Sequence, residues 1–316
     1  MMHSVVIPVY NNEASLPDLL DDMERLRHEL AGELEVVFVV DGSPDRSLEC
    51  LLQRLPTCRF CSQVLVLSRN FGSMAAIREG LRAARGPLFC LKAADLQEPS
   101  ELVLQVFRSL EGELVDVIVA TRESRGDPFA ARLAAALFWF VYRKVIQRDV
   151  PAGGVDIFGC NATFRDHLLR FAESNSSLIG LVFWLGMRRK QIRYRRIQRR
   201  HGRSAWTLRA RLRYLSDSVF AFSDLPIQLL LASGLLGLGA SVVLSVSVLV
   251  ARLTNAIDVP GYTATLLTVL LFAAINLLGL GIIGSYAWRA FENTKARPLA
   301  VVLARHEFGP SVEPMP

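Results

Sequence analysis

Three clusters of carboxylates, amides and a hydroxyl stand at the ends of short apolar runs: Asn11, Asn12 and Glu13; Asp41 and Ser43; Asp95 and Gln97. Oxygen donors of this kind suit a nucleotide diphosphate bridged by a divalent cation, because Mg2+ prefers oxygen ligands and often shares them with phosphates. Other chemistries lack their residues. No G-x-G-x-x-G follows the first apolar run and no G-x-x-x-x-G-K-[ST] occurs, which argues against a dinucleotide dehydrogenase and a P-loop ATPase. No G-x-S-x-G elbow accompanies the five histidines, so a Ser-His-Asp hydrolase has little support. Cys58 and Cys61 form a C-x-x-C, but no second pair or histidine cluster completes a zinc site. The five cysteines fit reduced thiols in a reducing compartment.

The elements that must position these clusters alternate between strand and helix. Ser4–Val9 reads as a buried strand closed by Asn11 and Asn12. Helical spacing follows through Leu16, Leu19, Leu20, Met23, Leu26 and Leu30, with Gly32 as a stop. Glu35–Val40, Gln63–Leu67, Pro87–Leu91 and Val115–Thr121 read as further strands, and Ser73–Ala84 as a helix. This order predicts an α/β fold, a mainly parallel sheet with helices on both faces. Ligands of such sheets bind at the carboxyl ends of the strands, where the three clusters stand.

The rest of the chain reads as membrane-bound. Apolar residues make up 51% of 316. Ile227–Ala251 and Thr263–Trp288 carry no charge, and each exceeds the roughly 20 apolar residues that span a bilayer. The run from Arg188 to Arg213 is basic without one acid, and Arg289, Lys295 and Arg297 follow the second span. The loop between the spans, Arg252 to Tyr262, balances one arginine with Asp258. The positive-inside rule then places both termini in the cytoplasm. Ala205–Phe222 mixes arginines with Trp206, Leu208, Tyr214 and Phe220, as in a helix lying in the membrane interface. Phe129–Val141 is apolar but too short to span, and reads equally as a core helix or a membrane-surface helix. Nucleic acid is not the expected partner of this basic run, which abuts a span and carries no nucleic-acid-binding motif. The N-terminus lacks the charged and apolar regions of a signal peptide. The Pro-containing tail after about Arg305 reads as loose.

Val6–Glu13 (V-I-P-V-Y-N-N-E), Val40–Asp45 (V-D-G-S-P-D), Leu67–Gly72 (L-S-R-N-F-G) and Ala94–Pro99 (A-D-L-Q-E-P) resemble the family-2 inverting glycosyltransferases. The polyprenyl-phosphate branch, which includes dolichol-phosphate mannose synthase and bacterial polyprenyl-phosphate glucosyl and aminoarabinose transferases, is the most similar. Tyr194-x-Arg196-x-x-Arg199-x-x-Gly202-x-Ser204 resembles that branch's basic segment. The resemblance implies a nucleotide-diphospho-sugar transferase fold over residues 1–204, an interfacial helix over 205–225, two transmembrane helices over 226–289 and a cytoplasmic tail over 290–316. It implies that Pro8, Tyr10, Glu13, Asp41 and Ser43 hold base and ribose, and that Asp95 and Gln97 reach the metal, Mg2+ or Mn2+, and the diphosphate. Arg122 and Arg132 would lie near the phosphates, Asp156 beside the reacting sugar, and Arg196, Arg199 and Ser204 on the lipid phosphate. Pro8 and Tyr10 could instead serve a strand-end turn and core packing, Asp156 could cap a turn after Gly153-Gly154, and Arg122 and Arg132 could be solvated surface charges.

The implied activity is transfer of a sugar, with inversion, from a UDP- or GDP-sugar to polyprenyl phosphate at the cytoplasmic face of the plasma membrane. A homo-oligomer is also compatible with the resemblance. Two departures stand out: Val40 replaces an acid, and Ala93 replaces the first acid of an Asp-x-Asp metal motif. Ala93 keeps open a non-catalytic nucleotide-binding membrane protein, beside the further alternative of a polysaccharide-extending transferase.

Overall fold

The computed structural model describes residues 1–30, 32–123, 149–151, 154–173, 177–197, 216–223, 225–254 and 261–309. Strand β1 (Met2–Val9) buries Val5, Val6, Ile7 and Val9 completely, as a strand covered on both faces must. Helix α1 (Leu16–Glu29) carries a proline in its first turn and turns Leu16, Leu19, Leu20, Met23 and Leu26 inward. β2 (Glu33–Val40), α2 (Ser47–Arg54), β3 (Cys61–Leu67), α3 (Ser73–Ala83), β4 (Leu88–Leu91), α4 (Ser100–Gly112) and β5 (Val117–Arg122) continue the alternation. β6 (Ile157–Asn161), α5 (Ala162–Arg170), α6 (Leu178–Trp184) and β7 (Arg189–Tyr194) follow.

The sheet has eight strands in the order β7-β5-β6-β4-β1-β2-β3-β8, where β8 is Val302–Phe308. The β1–β2, β1–β4, β2–β3 and β5–β7 pairs are parallel. The β4–β6, β5–β6 and β3–β8 pairs are antiparallel. The sheet is therefore mixed, and mostly parallel in the half built from β1 to β4. Because β2 and β3 lie on one side of β1 and β4 on the other, the chain reverses direction across the sheet between β1 and β4. Ligands of open α/β sheets settle in the crevice at such a point.

One expectation is corrected. Residues 302–308 are not a loose tail: β8 covers the edge of β3, Arg305 donates to Gln63 Oε1 at 2.6 Å, and Arg85 pairs with Glu307 at 2.5 Å. The start of the basic run folds into the sheet. Residues 189–194 are a strand, in which Lys190 pairs with Glu113 and Arg189 stacks over the Phe183 ring at 4.2 Å. Arg188 donates to the buried Asp116 through its backbone N–H, Nε and a terminal nitrogen at 3.1, 2.9 and 2.9 Å.

The Arg188 guanidinium, against the opposing effect of burial and with help from the Asn161 amide, holds the Asp116 carboxyl down at about 2. Its pKa is lower in the folded chain than the roughly 3.9 of an unfolded one, so the pair stabilises the fold at neutral pH. That contribution is lost as pH falls from about 4 through about 2. Thermal melts of the detergent-solubilised protein should show a drop in melting temperature across this window, and Asp116→Asn should flatten it.

Two long helices, α8 (Leu225–Leu253) and α9 (Tyr262–Thr294), precede β8; α7 (Ser216–Phe222) meets the start of α8 at 80°. Among the described residues, Leu271–Thr294 is long and apolar enough to cross a membrane, with a mean hydropathy of 1.6. Phe129–Val141 lies outside the described residues, and of Ala205–Phe222 only the helical part from Ser216 is described. Helix α7 is tied to its neighbours on two sides. Arg289 of α9 pairs with Asp217 at 2.9 Å and stacks over Phe220, and Tyr286 Oη donates to the Ser223 carbonyl at 3.3 Å. On the other side Phe222 lies on Gly180 of α6, where an added Cβ would sit 2.7 Å from its Cζ. Gly180→Val should therefore push Phe222 away and destabilise the protein by about 1–3 kcal/mol, read as a lower melting temperature in detergent.

Candidate active site

The loop after β1 is shaped by Asp45, a residue of V-D-G-S-P-D that the sequence reading left without a role. Asp45 Oδ1 accepts from Ser43 Oγ at 2.6 Å and Ser47 N at 3.1 Å, while Oδ2 accepts from Glu13 N at 3.0 Å. Ser43 Oγ accepts from Asn11 N at 2.8 Å, and Glu13 Oε2 from Arg46 N at 3.2 Å. These bonds clamp the β1 loop to the β2 loop and hold the Asp45 carboxyl below the usual range, against the cost of burial. Asn11 adopts φ 54°, which asparagine tolerates better than most residues. Tyr10 is left 39% exposed on the rim.

Asp41 sits deeper, 2% exposed, and burial pushes its carboxyl up. Its two oxygens accept from the backbone N–H groups of Phe71 and Gly72 at 2.7 and 2.8 Å, which anchors the L-S-R-N-F-G loop to the end of β2. Gly42 beside it has φ +58°, and a Cβ there would strike the backbone of Arg69 and Asn70. Val40, one of the two departures from the resemblance, is buried in the sheet.

The loop after β4 forms the opposite lip. Ser15 Oγ bridges the two lips by donating to the Ala94 carbonyl at 2.8 Å. Lys92, 1% exposed, donates to the Glu98 carbonyl at 2.5 Å and pairs with Asp22 at 3.2 Å. Glu98 Oε2 accepts from Ala93 N at 3.1 Å. The loop is thus closed from behind as a ring, with Leu96 forced to φ 58° at its tip and Asp95 beside it. Glu98 is 3% exposed and its carboxyl is pushed up, first by burial and then by Asp95. It serves the backbone of Ala93 and does not replace, at the surface, the acid that Ala93 lacks.

A third group joins this loop. Arg122 donates through Nε to Asp156 Oδ2 at 2.5 Å and through a terminal nitrogen to Oδ1, a two-pronged pair, and Tyr194 Oη donates to Oδ2 at 2.7 Å. Burial, with Asp156 next, pushes the Tyr194 hydroxyl well above its ordinary range, so it remains a donor. Just beyond Tyr194, Ile197 N donates to the Gln97 carbonyl at 3.0 Å, and Arg196 donates to Gln97 Oε1. Asp95, Gln97, Arg122, Asp156 and Arg196 therefore form one connected group, while Tyr10, Glu13 and Ser43 line the facing lip. Pro8 lies in β1 below them. Arg132, Arg199 and Ser204 lie outside the described residues.

Tyr194, Lys92, Glu98 and Asp22 were not foreseen. A signal existed for Tyr194, which opens the Tyr-x-Arg motif; nothing in spacing marks a lysine that is buried under a loop. Among the described residues no group of three or more His, Cys, Asp or Glu side chains could hold a metal unaided. One carboxylate and one amide do fit a cation that arrives with a diphosphate and fills its shell from phosphates and water. All five cysteines are free, and burial pushes Cys58 up to about 11 and Cys90 to about 12.

Residues 4–171 match the family described as Glycosyl transferase family 2. The undecaprenyl-phosphate 4-deoxy-4-formamido-L-arabinose transferase of Pseudomonas paraeruginosa is 33% identical over 93% of this chain and 87% of its own. The uncharacterized glycosyltransferase YkcC of Bacillus subtilis is 31% identical over 96% and 93%. A structure of Mycobacterium tuberculosis glucosyl-3-phosphoglycerate synthase with Mn2+, UDP and glucosyl-3-phosphoglycerate aligns at a TM-score of 0.46 and 18% identity, over 70% of this chain and 77% of that one. With the family match running from β1 through α5 and relatives at 30% identity or more spanning nearly its whole length, this chain belongs to glycosyltransferase family 2.

Proposed function

We propose that the protein transfers a sugar, with inversion, from a UDP- or GDP-sugar to polyprenyl phosphate at the cytoplasmic face of the plasma membrane. The observation that carries this reading is the extent of the match to the P. paraeruginosa undecaprenyl-phosphate transferase: 93% of the chain, which includes the long apolar helices as well as the nucleotide-binding half. In this reading α8 and α9 both span the bilayer, α7 lies in the interface, and residues 1–204 and the C-terminus are cytoplasmic.

The β1 and β2 loops would take the base and ribose along Tyr10, Glu13 and Ser43, with Asp41 acting through the Phe71–Gly72 backbone it holds. Asp95, and Gln97 if its amide oxygen is released, would hold Mg2+ or Mn2+. The cation would neutralise charge on the departing diphosphate. A phosphate monoester, with its second pKa near about 6, is largely dianionic at neutral pH and attacks without a strong base. Asp156, whose two oxygens already accept from Arg122 and Tyr194, is accordingly given the task of orienting the acceptor or facing positive charge on the sugar. Arginine suits the phosphates because its planar fork can bond two oxygens at once.

The test uses protein in nanodiscs with undecaprenyl phosphate, a panel of UDP- and GDP-sugars, and Mg2+, Mn2+ or chelator, with lipid products followed by mass spectrometry. A polyprenyl-phosphate monosaccharide from one donor, lost with chelator, is the expected result. Nucleotide binding without product from any donor would favour a non-catalytic protein, for which Ala93 is the motivating residue.

A further inference from the structure

Arg196, near the start of the Tyr194–Ser204 segment, makes its contact on the loop that bears Asp95 and Gln97. Gln97 and residues 196–197 make three contacts: Ile197 N to the Gln97 carbonyl at 3.0 Å, Gln97 Nε2 to the Ile197 carbonyl at 3.4 Å, and the Arg196 guanidinium to Gln97 Oε1. The first two extend the A-A-D-L-Q loop by a two-way pairing with the incoming segment, and the third places a cation on that loop. The Arg196 Nε is buried and has no hydrogen-bond partner among the described residues. An unshared, desolvated guanidinium donor is costly unless an acceptor arrives. The loop beside it is short of one acid at Ala93 and carries Asp95 two residues before Gln97.

We propose that Arg196 belongs to the donor site. It positions Gln97, and through Gln97 the loop that bears Asp95, and the half-buried face of its guanidinium takes an oxygen of the donor's diphosphate. This rests on the proposed sugar-nucleotide chemistry and changes the role of one residue within it, from lipid phosphate to donor. Its consequence concerns charge. With one carboxylate on the loop to hold a metal and an arginine attached to the same loop, part of the diphosphate charge is met by Arg196 itself. Donor binding should then survive chelation better in the native chain than in a variant without this arginine.

The experiment measures equilibrium binding of UDP and GDP to full-length protein in nanodiscs without acceptor, by calorimetry, with Mn2+ and with chelator. For Arg196→Gln we expect dissociation constants about tenfold weaker with Mn2+, and a larger further loss on chelation than in the native protein. The KM for polyprenyl phosphate should stay within about twofold of native, and a melting temperature close to native would exclude unfolding. Gln97→Ala should weaken binding similarly, and the double variant should be less affected than the product of the two. Unchanged nucleotide binding with a raised acceptor KM would overturn the proposal and return Arg196 to the lipid phosphate, as would additive losses in the double variant. Failure of the native protein to bind either nucleotide would overturn it too. Native binding without sugar transfer would instead remove the proposed reaction and leave the binding comparison readable.

Discussion

Asp95→Asn should lower sugar transfer by about 10²–10³-fold while leaving the melting temperature nearly unchanged. Asparagine keeps the oxygen that accepts from Gln97 N at 3.3 Å, so the loop retains that local bond. What disappears is the negative charge. Ala93 supplies none, and Glu98, the next acid along, is 3% exposed and engaged with the Ala93 backbone. No neighbour on the loop can take over, so the loss should be larger than in a site built on two exposed acids. Product formation by mass spectrometry, with metal titrated from micromolar to millimolar, gives the measurement. Activity of Asp95→Asn within about threefold of native at saturating donor and metal would show that Asp95 does not carry charge in the reaction.

The second large effect is expected at Asp156. Its side chain is 14% exposed and that of Arg122 22%, so the pair is sheltered enough to matter. Asp156→Asn removes the charge that faces the Arg122 fork and weakens both of its bonds. We expect a loss of about 10² in kcat and a destabilisation of about 1–3 kcal/mol from the poorly compensated guanidinium. Tyr194→Phe removes one bond of 2.7 Å and leaves the ion pair intact, and should cost roughly tenfold or less in kcat. Adding Arg122→Gln to Asp156→Asn should recover part of the lost stability, because the unpaired charge goes with it. The pH profile separates orientation from proton removal. If the acceptor's own phosphate sets the rise in rate near pH about 6, that rise persists in Asp156→Asn. If Asp156 were the base, the variant would lose it.

Much of the amino-terminal half could be read without coordinates. β1 to β4 are rich in Val, Ile, Leu and Phe because both of their faces are covered, and each stops at a polar cluster because the chain must turn there. Helix α1 announced itself by the spacing of five inward residues. β7 hid for the opposite reason. As an edge strand it turns only Ile192 and Tyr194 fully inward, and its arginines and lysine leave no apolar run to mark it. β8 hid because it follows a long apolar helix and has a half-exposed surface; its place is made by the free edge of β3, some 240 residues earlier in the chain.

The sequence by itself determined the kind of chemistry: oxygen donors at the carboxyl ends of parallel strands, an arginine-rich segment and long uncharged runs near the C-terminus. Local propensity, periodicity and residue type are enough for that, since each acts over a few residues. Tertiary structure decided which groups act on one another. It paired Asp156 with Arg122 and Tyr194, set Asp41 against the Phe71–Gly72 backbone, sealed Lys92 beneath the loop of Asp95, and joined Arg196 to Gln97. Those pairings span from 6 to 99 residues of chain, and all but that of Lys92 span at least 30. They are set by strand order and by the desolvation that makes a buried charge seek a partner, neither of which is written in the spacing of residues along the chain.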